Sequence, residues 1–217
     1  MKLPRELGDL RYADALISHE GELAPGEHYD GCHFTGVAFT AVRADNGRFV
    51  ECAFSDVTLE DASMRRSRLS DVWLRDVRLL SADLAESTWL DATFIGCAAA
   101  GVQAFDAGLR RVVFHECKLD SVNFRGAALA DVTFENCLLR DVDFAGATLK
   151  RARFPGSALT RADFSRATLE KVDLRGAELD ITAGFESLRG AIMTTAQFLS
   201  LAPALARQLG IEINGAW

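Results

Sequence analysis

Large hydrophobic residues recur at every fifth position along most of the chain. From Phe34 to Leu179 this phase contains 30 positions, and 25 of them hold Phe or Leu. A second phase lies two residues earlier in each block, from Cys32 to Ala177, and holds only Val, Ala, Cys, Ser and Gly. Charged side chains are confined to the other three positions of each block. Because a period of five matches neither the helix nor the strand, the pattern predicts a different regular structure.

The division into inward and outward phases indicates a stack of coils. One large and one small residue in each block must point inward, since an unpaired buried charge is very costly. A chain that turns a corner every five residues meets this demand. Successive coils can then pair through parallel backbone hydrogen bonds, with about 4.8 Å between neighbours.

Blocks such as Ala162–Arg166, Val172–Gly176 and Ala177–Ile181 resemble the A(D/N)LXX unit of pentapeptide repeat proteins. The resemblance covers residues 30–181. It implies an all-β solenoid, a right-handed quadrilateral parallel β-helix with four blocks per coil. At four blocks per coil, the 30 blocks make about seven and a half coils.

Two features fit a 20-residue coil independently of the resemblance. Phe and Leu alternate strictly from Leu109 to Phe164, which would stack Phe on two opposite faces and Leu on the other two. Cysteines also recur at 20-residue spacing, as in Cys97 and Cys117. Five positions of the large phase depart from Phe and Leu: Ala44, Met64, Trp89, Ala99 and Ala104. We interpret Trp89 and the neighbouring alanines as volume compensation in a close-packed core; a kink or bulge is the alternative.

The two ends of the chain lie outside the repeat. Residues 1–29 are expected to form a segment that covers the first coil, since exposed coil ends recruit other strands. In residues 182–217, Thr194–Gln197 matches a capping box that opens a helix. Pro203 predicts a kink or a second short helix, and Gly210 predicts the stop.

An apolar stripe at helical spacing follows the capping box. Its members are Phe198, Leu201, Ala202, Leu205 and Leu209. A C-terminal helix of this kind resembles the dimerising end of the quinolone-resistance branch of the pentapeptide repeat family, in which two rods join tail to tail. The resemblance therefore implies a homodimer, whereas a helix that only caps its own rod is the alternative.

Composition adds limits on function. The 217 residues include 24 basic and 31 acidic side chains, for a net charge of −7, which disfavours a nucleic-acid binder. No stretch approaches the roughly 18–20 apolar residues that span a bilayer. We expect a cytoplasmic protein, because the N-terminus lacks an apolar signal region and the five cysteines are odd in number.

Chemistry-bearing motifs are missing from the sequence. All five cysteines occupy the small inward phase and are interpreted as buried hydrophobes, with a disulfide ladder or a metal site as the alternatives. The four histidines do not pair at metal-ligand spacing, and no nucleotide or hydrolase fingerprint is found. We therefore expect neither enzymatic activity nor a cofactor.

The best-understood branch of the family resembles duplex DNA in shape and charge and protects type II topoisomerases, including DNA gyrase, from quinolones. That resemblance implies a DNA mimic associated with antibiotic resistance. On a 20-residue coil the acidic residues of the N-terminal half form two columns, one of Glu51, Asp71 and Asp91 and one of Asp56 and Asp76. Residues 30–105 carry a charge of −4, whereas residues 106–181 are neutral, so a topoisomerase is expected to bind the N-terminal coils.

A second hypothesis is an interaction scaffold. Several large apolar residues fall on outward positions of the central coils: Trp73, Leu80, Leu90, Ile95 and Phe105. A contiguous exposed apolar patch often marks a contact site. The sequence leaves open whether these residues form such a patch or serve local packing.

Overall fold

The computed structural model describes residues 3–212. It is a parallel β-solenoid of four-sided coils, each 20 residues long, followed by one α-helix. The fold expected from the sequence is confirmed, including its right-handed quadrilateral form.

The strands are short, and most contain three residues. The first thirteen are β1 (Ile17–Ser18), β2 (His28–Asp30), β3 (Cys32–Thr35), β4 (Ala38–Thr40), β5 (Arg48–Val50), β6 (Ala53–Ser55), β7 (Thr58–Glu60), β8 (Arg68–Ser70), β9 (Trp73–Arg75), β10 (Arg78–Leu80), β11 (Thr88–Leu90), β12 (Thr93–Ile95) and β13 (Ala98–Ala100). The remaining twelve are β14 (Gly108–Arg110), β15 (Val113–His115), β16 (Lys118–Asp120), β17 (Ala128–Ala130), β18 (Thr133–Glu135), β19 (Leu138–Arg140), β20 (Thr148–Lys150), β21 (Ala158–Asp163), β22 (Thr168–Glu170), β23 (Val172–Asp173), β24 (Glu178–Ala183) and β25 (Ala191–Ile192). The helices are three 3₁₀ turns, Leu7–Asp9, Ala13–Ala15 and Phe185–Leu188, and α1 (Thr195–Gln208).

Three of the four faces are parallel sheets. Face 1 contains β1, β3, β6, β9, β12, β15 and β18, in that order along the rod. Face 2 runs from β4 to β24, and face 4 runs from β2 to β22. The pairing is in register at 20 residues, as for Phe34 with Phe54 on face 1.

Face 3 is built from turns joined by single bridges, such as Asp83 with Gln103. Its turns are closed by side chains: the carboxylate of Asp83 accepts a hydrogen bond from the backbone N–H of Ala85 at 3.0 Å, and Asp143 does the same for Ala145 at 2.8 Å. This Asx geometry explains why Asp or Asn precedes the large residue in several blocks on face 3.

The core is the pair of inward phases. Phenylalanine rings stack along face 1, with 4.8 Å between the centroids of Phe114 and Phe134, and along face 3, with 5.2 Å between Phe144 and Phe164. Leucines pair in register on the other two faces, as Leu129 does with Leu149. The predicted alternation of Phe and Leu faces is thus confirmed.

The core positions that depart from Phe and Leu keep the 20-residue register of the coils. Trp89 is buried on β11, and its indole N–H donates a hydrogen bond to Ser87 Oγ at 2.8 Å. Ala104 is buried and Ala99 half-buried, so the chain continues past both without a kink. Phe105 stays on the outside, where the Arg65 guanidinium lies 5.3 Å from the ring centroid.

The C-terminal end is capped as the sequence predicts. Thr194 Oγ1 accepts from the backbone N–H of Gln197 at 3.2 Å, and the Gln197 side chain accepts from the Thr194 N–H at 2.8 Å. The Gln197 amide also donates to the carbonyls of Leu174 and Ala177 in the last coil. The expected second short helix is wrong, because α1 is a single helix that includes Pro203. Gly210 follows the helix with φ of 69°, as expected for a stop.

Candidate binding surface

The N-terminal residues cross face 1 instead of ending on the first coil. Residues 17–18 pair with β3 and cover the first coil, whereas residues 3–12, here called the strap, extend along face 1 to β9. The Trp73 indole N–H donates to the carbonyl of Pro4 at 3.0 Å. The Tyr12 hydroxyl donates to the carbonyl of Asp71 at 2.6 Å. The contact of the strap with β9 is additional to the cover of the first coil that the sequence predicts.

Charged contacts add to this attachment. Arg11 pairs with the carboxylate of Asp71 at 2.9 Å. Arg75 pairs with Glu6 and also donates to the carbonyl of Arg5 at 3.2 Å. Burial, and next the charge of Asp71, raises the pKa of the Tyr12 hydroxyl well above its usual value. The strap thus lies close enough to the sheet to shield the Tyr12 hydroxyl from water.

The strap removes Trp73 from the surface. The Trp73 side chain is only 2% exposed, although it points outward from β9. Of the two alternatives, local packing therefore applies to Trp73, which is not part of an exposed patch. Sequence reasoning missed the contact because the partners lie about 70 positions apart and the strap has no repeat pattern.

The other four residues of the expected patch are not brought together. Each lies on its own face: Ile95 on face 1, Leu80 on face 2, Phe105 on face 3 and Leu90 on face 4. All four are half-buried. A 20-residue coil places positions five or ten apart on different faces, so a cluster in the sequence does not become a patch in space.

The two acidic columns flank face 1. Glu51, Asp71 and Asp91 occupy the corner before it, and Asp56 and Asp76 occupy the corner after it. The stacking expected from the 20-residue period is present. The two acidic columns therefore lie on either side of the covered Trp73, at the level of β6, β9 and β12.

The corner backbone explains part of the acidic composition. These corner residues adopt left-handed conformations, with φ of 48° at Glu51 and 55° at Asp76. Aspartate and asparagine tolerate that region better than most residues other than glycine. Arg111 and Arg151 adopt the same conformation further along the column, so the backbone does not itself require a negative charge.

Several of the acidic residues are partly neutralised. Arg111 forms a bidentate pair with Asp91 at 2.6 Å, and it holds the pKa of that carboxyl below its usual range. Arg75 lies 3.4 Å from Asp76. Within residues 3–212, neither Glu51 nor Asp56 forms an ion pair with a basic side chain.

A groove continues along face 1 beyond the strap. It has a volume of about 1080 Å³. Leu10 and Tyr12 of the strap line one end, and Arg153 and Pro155 line the other. Its floor is formed by the outward residues of successive strands, Thr93, Val113 and Thr133.

The members of the expected dimerisation helix point in two directions. Leu201 is 3% exposed and lies against the end of the rod, and Leu205 packs there as well. Phe198 and Leu209 are 52% and 71% exposed, respectively. Part of the stripe therefore caps the rod, while another part faces outward.

The cysteines lie in the core. Cys52, Cys97, Cys117 and Cys137 are buried and Cys32 is half-buried, all as free thiols. In residues 3–212 no three His, Cys, Asp or Glu side chains are grouped so that they could hold a metal ion. Over the same residues no helix is long and apolar enough to cross a membrane.

Comparison with known proteins places the solenoid in a family. The model described as "Pentapeptide repeats (8 copies)" matches residues 32–71, and the model described as "Pentapeptide repeat region" matches residues 87–164 and 107–183. Together these matches span more than half of the chain. Geometrically the molecule is a parallel β-solenoid with a continuous hydrophobic core. It belongs to the pentapeptide repeat family.

Solved structures of other pentapeptide repeat proteins are similar at low identity. A trypsin-treated form of QnrB1, a plasmid-mediated fluoroquinolone resistance protein, is 16% identical, with 83% of this chain and 99% of that chain covered and a TM-score of 0.46. HetL, involved in heterocyst differentiation regulation in the cyanobacterium Nostoc, is 22% identical, with 79% and 92% covered and a TM-score of 0.25. A protein of the Arabidopsis thaliana thylakoid lumen is 10% identical, with 77% and 76% covered and a TM-score of 0.29. No curated protein matches the chain.

Proposed function

We propose that this protein is a non-catalytic DNA mimic that binds the DNA-binding surface of a type II topoisomerase, such as DNA gyrase, and thereby protects it from inhibitors. The observation that supports the proposal is the pair of acidic columns on either side of face 1. They bring five carboxylates within the height of three coils, from Glu51 to Asp91.

The number of carboxylates in these columns is close to the number of phosphates over the same length of DNA, and Arg11, Arg75 and Arg111 offset three of them. Three coils span about 10 Å at the separation of parallel strands. Duplex DNA carries about six charges over the same length, at one per roughly 1.7 Å. Face 1 is therefore flanked by short acidic stretches at its two corners. Further along the rod, the column that begins at Glu51 contains the basic residues Arg111 and Arg151.

The direct test is a supercoiling assay with DNA gyrase. We expect the wild-type protein to inhibit supercoiling, and we expect added salt to weaken the inhibition because exposed charges are screened. Unchanged supercoiling at a large excess of the protein would contradict the proposal.

Two matched double variants locate the surface. Glu51→Lys with Asp56→Lys reverses both acidic corners of face 1, and we expect about a tenfold or greater loss of inhibition, since charges at such an interface control association. Asp61→Lys with Asp106→Lys makes the same charge change at left-handed corners away from face 1. This control is expected to inhibit like the wild type, and an equal loss in both variants would mean that only net charge matters.

We also propose that two copies join tail to tail through the outward side of α1. The helix presents Phe198 and Leu199 to solvent, and Leu209 and Ile211 follow its last residue, all as exposed large hydrophobic residues. Apolar surface at the end of a rod is typical of a contact surface, and a second copy is the occupant that the family resemblance implies.

A further inference from the structure

The end of the strap at Arg11 and Tyr12 carries the chemistry that face 1 would meet in a basic partner, whereas Glu6 pairs with Arg75 of the sheet. This end presents one arginine, Arg11, to an acidic corner at Asp71. It also presents apolar and aromatic groups, Leu10 and Tyr12, to the groove in front of the sheet. A protein surface that normally contacts DNA is likewise rich in arginine.

The position of the strap blocks the surface assigned above. Arg11 neutralises Asp71, which lies between Glu51 and Asp91 in the first acidic column. The strap backbone covers Trp73, the centre of face 1 at that level. A partner could therefore not contact the middle of this column and the sheet beside it while the strap is in place.

The strap is attached to face 1 through side-chain contacts, whereas neighbouring coils are joined by backbone pairing. Its residues are exposed or half-buried, and none of residues 3–12 is buried. The Arg11 side chain is 79% exposed in its pair with Asp71, so the pair is screened by solvent and salt. Residues 17–18 hold the chain to β3 independently, so the strap can detach without uncovering the first coil.

We propose that the strap is an autoinhibitory segment that occupies face 1 and must leave before an arginine-rich surface of a partner protein binds there. This inference rests on the proposed function for the identity of the partner. The floor of the groove continues past the strap to Thr133, so a partner segment that displaced the strap would meet one continuous surface.

The test compares Arg11→Glu with a charge-matched control. Arg11→Glu places a carboxylate beside Asp71 and should release the strap. Arg43→Glu makes the same charge change on face 3, opposite face 1, at an exposed arginine that forms no ion pair within residues 3–212. Acrylamide quenching of tryptophan fluorescence reports release, because Trp73 is covered only while the strap is docked; the Trp73→Phe background identifies its share of the signal.

We expect quenching to increase in Arg11→Glu and not in Arg43→Glu. If the strap is docked about nine-tenths of the time, its release should lower the concentration needed to inhibit gyrase about tenfold. Unchanged quenching in Arg11→Glu, and also after Tyr12→Phe is added to remove the hydrogen bond to the Asp71 carbonyl, would overturn the inference, since the strap would then not detach. Increased quenching with equal or weaker inhibition would also overturn it, because the strap would then contribute to binding and not oppose it.

A second readout does not depend on gyrase. A synthetic peptide of residues 1–15 should bind the Arg11→Glu protein about ten times more tightly than the wild type, whose own strap competes for face 1. If gyrase responds to neither protein, the proposed function fails, and this binding difference still supports reversible docking of the strap. Equal peptide binding to both proteins, or to neither, would overturn the autoinhibition.

Discussion

At the scale of single residues, the 20-residue coil decides what each side chain can do. The small inward phase places the thiols inside the rod, where burial raises the pKa of Cys52 to about 12. The neighbouring Cys117 thiol, and then burial, raises the pKa of Cys97 and of Cys137. A thiol held protonated is a poor nucleophile, so Cys52, Cys97 and Cys137 act as small hydrophobic residues. Hydrogen bonds from Cys137 and Cys97 lower the pKa of Cys117 instead, and its burial is what keeps reagents away.

This arrangement predicts selective thiol labelling. With an aromatic disulfide reagent at pH 8, the native protein should react rapidly at Cys32 alone, because the other four cysteines are buried. In denaturant all five should react. The Cys32→Ser variant is expected to abolish the rapid native reaction. Rapid labelling of two or more thiols per native chain would contradict the buried placement.

At the scale of structural elements, neighbouring coils are joined by ion pairs across one 20-residue step. Arg151 pairs with Asp131 at 2.5 Å and Arg161 pairs with Asp141. Each arginine lowers the pKa of its aspartate. Both partners of each pair lie at corners with left-handed backbone. Because corners stack at 20-residue intervals, the aspartate of one coil lies next to the arginine at the corner of the following coil.

These ladders predict a contribution to acid stability. A carboxyl whose pKa is lowered by folding stabilises the folded state above its unfolded pKa, about 3.9, and this stabilisation is lost as the pH falls through the lower folded value. Replacing both Asp131 and Asp141 by Asn should therefore flatten the dependence of the denaturant midpoint on pH below about 4.5. Asp106→Asn, at a corner without an ion pair in residues 3–212, serves as the control. A wild-type slope in the double variant would show that the ladders do not matter.

At the scale of the whole molecule, the solenoid is predictable from the repeat because every block must place one large and one small uncharged residue in the core. The alternation of Phe and Leu, the acidic columns and the capping box at Thr194 all follow from positions near in sequence or one coil apart. The strap could not be predicted in this way, since its contact with Trp73 joins segments outside that period. Its available signal was the pairing of an isolated outward tryptophan with a non-repeat segment rich in Leu and Arg.

Whether the protein is a dimer in solution depends on whether the exposed side of α1 binds a second copy. Leu201 is buried against the end of the rod, whereas Phe198 on the same helix is half exposed. Phe198 is therefore the position at which a substitution tests the dimer. We expect the wild type to sediment as a dimer and Phe198→Glu to sediment as a monomer with unchanged circular dichroism, because a charge in an apolar contact is costly to desolvate. Ala196→Glu adds the same charge at another exposed position in the first turn of α1 and should leave the dimer intact. A wild-type monomer at micromolar concentration would show that the helix only caps its own rod, and the outward hydrophobic residues would then have no role in self-association.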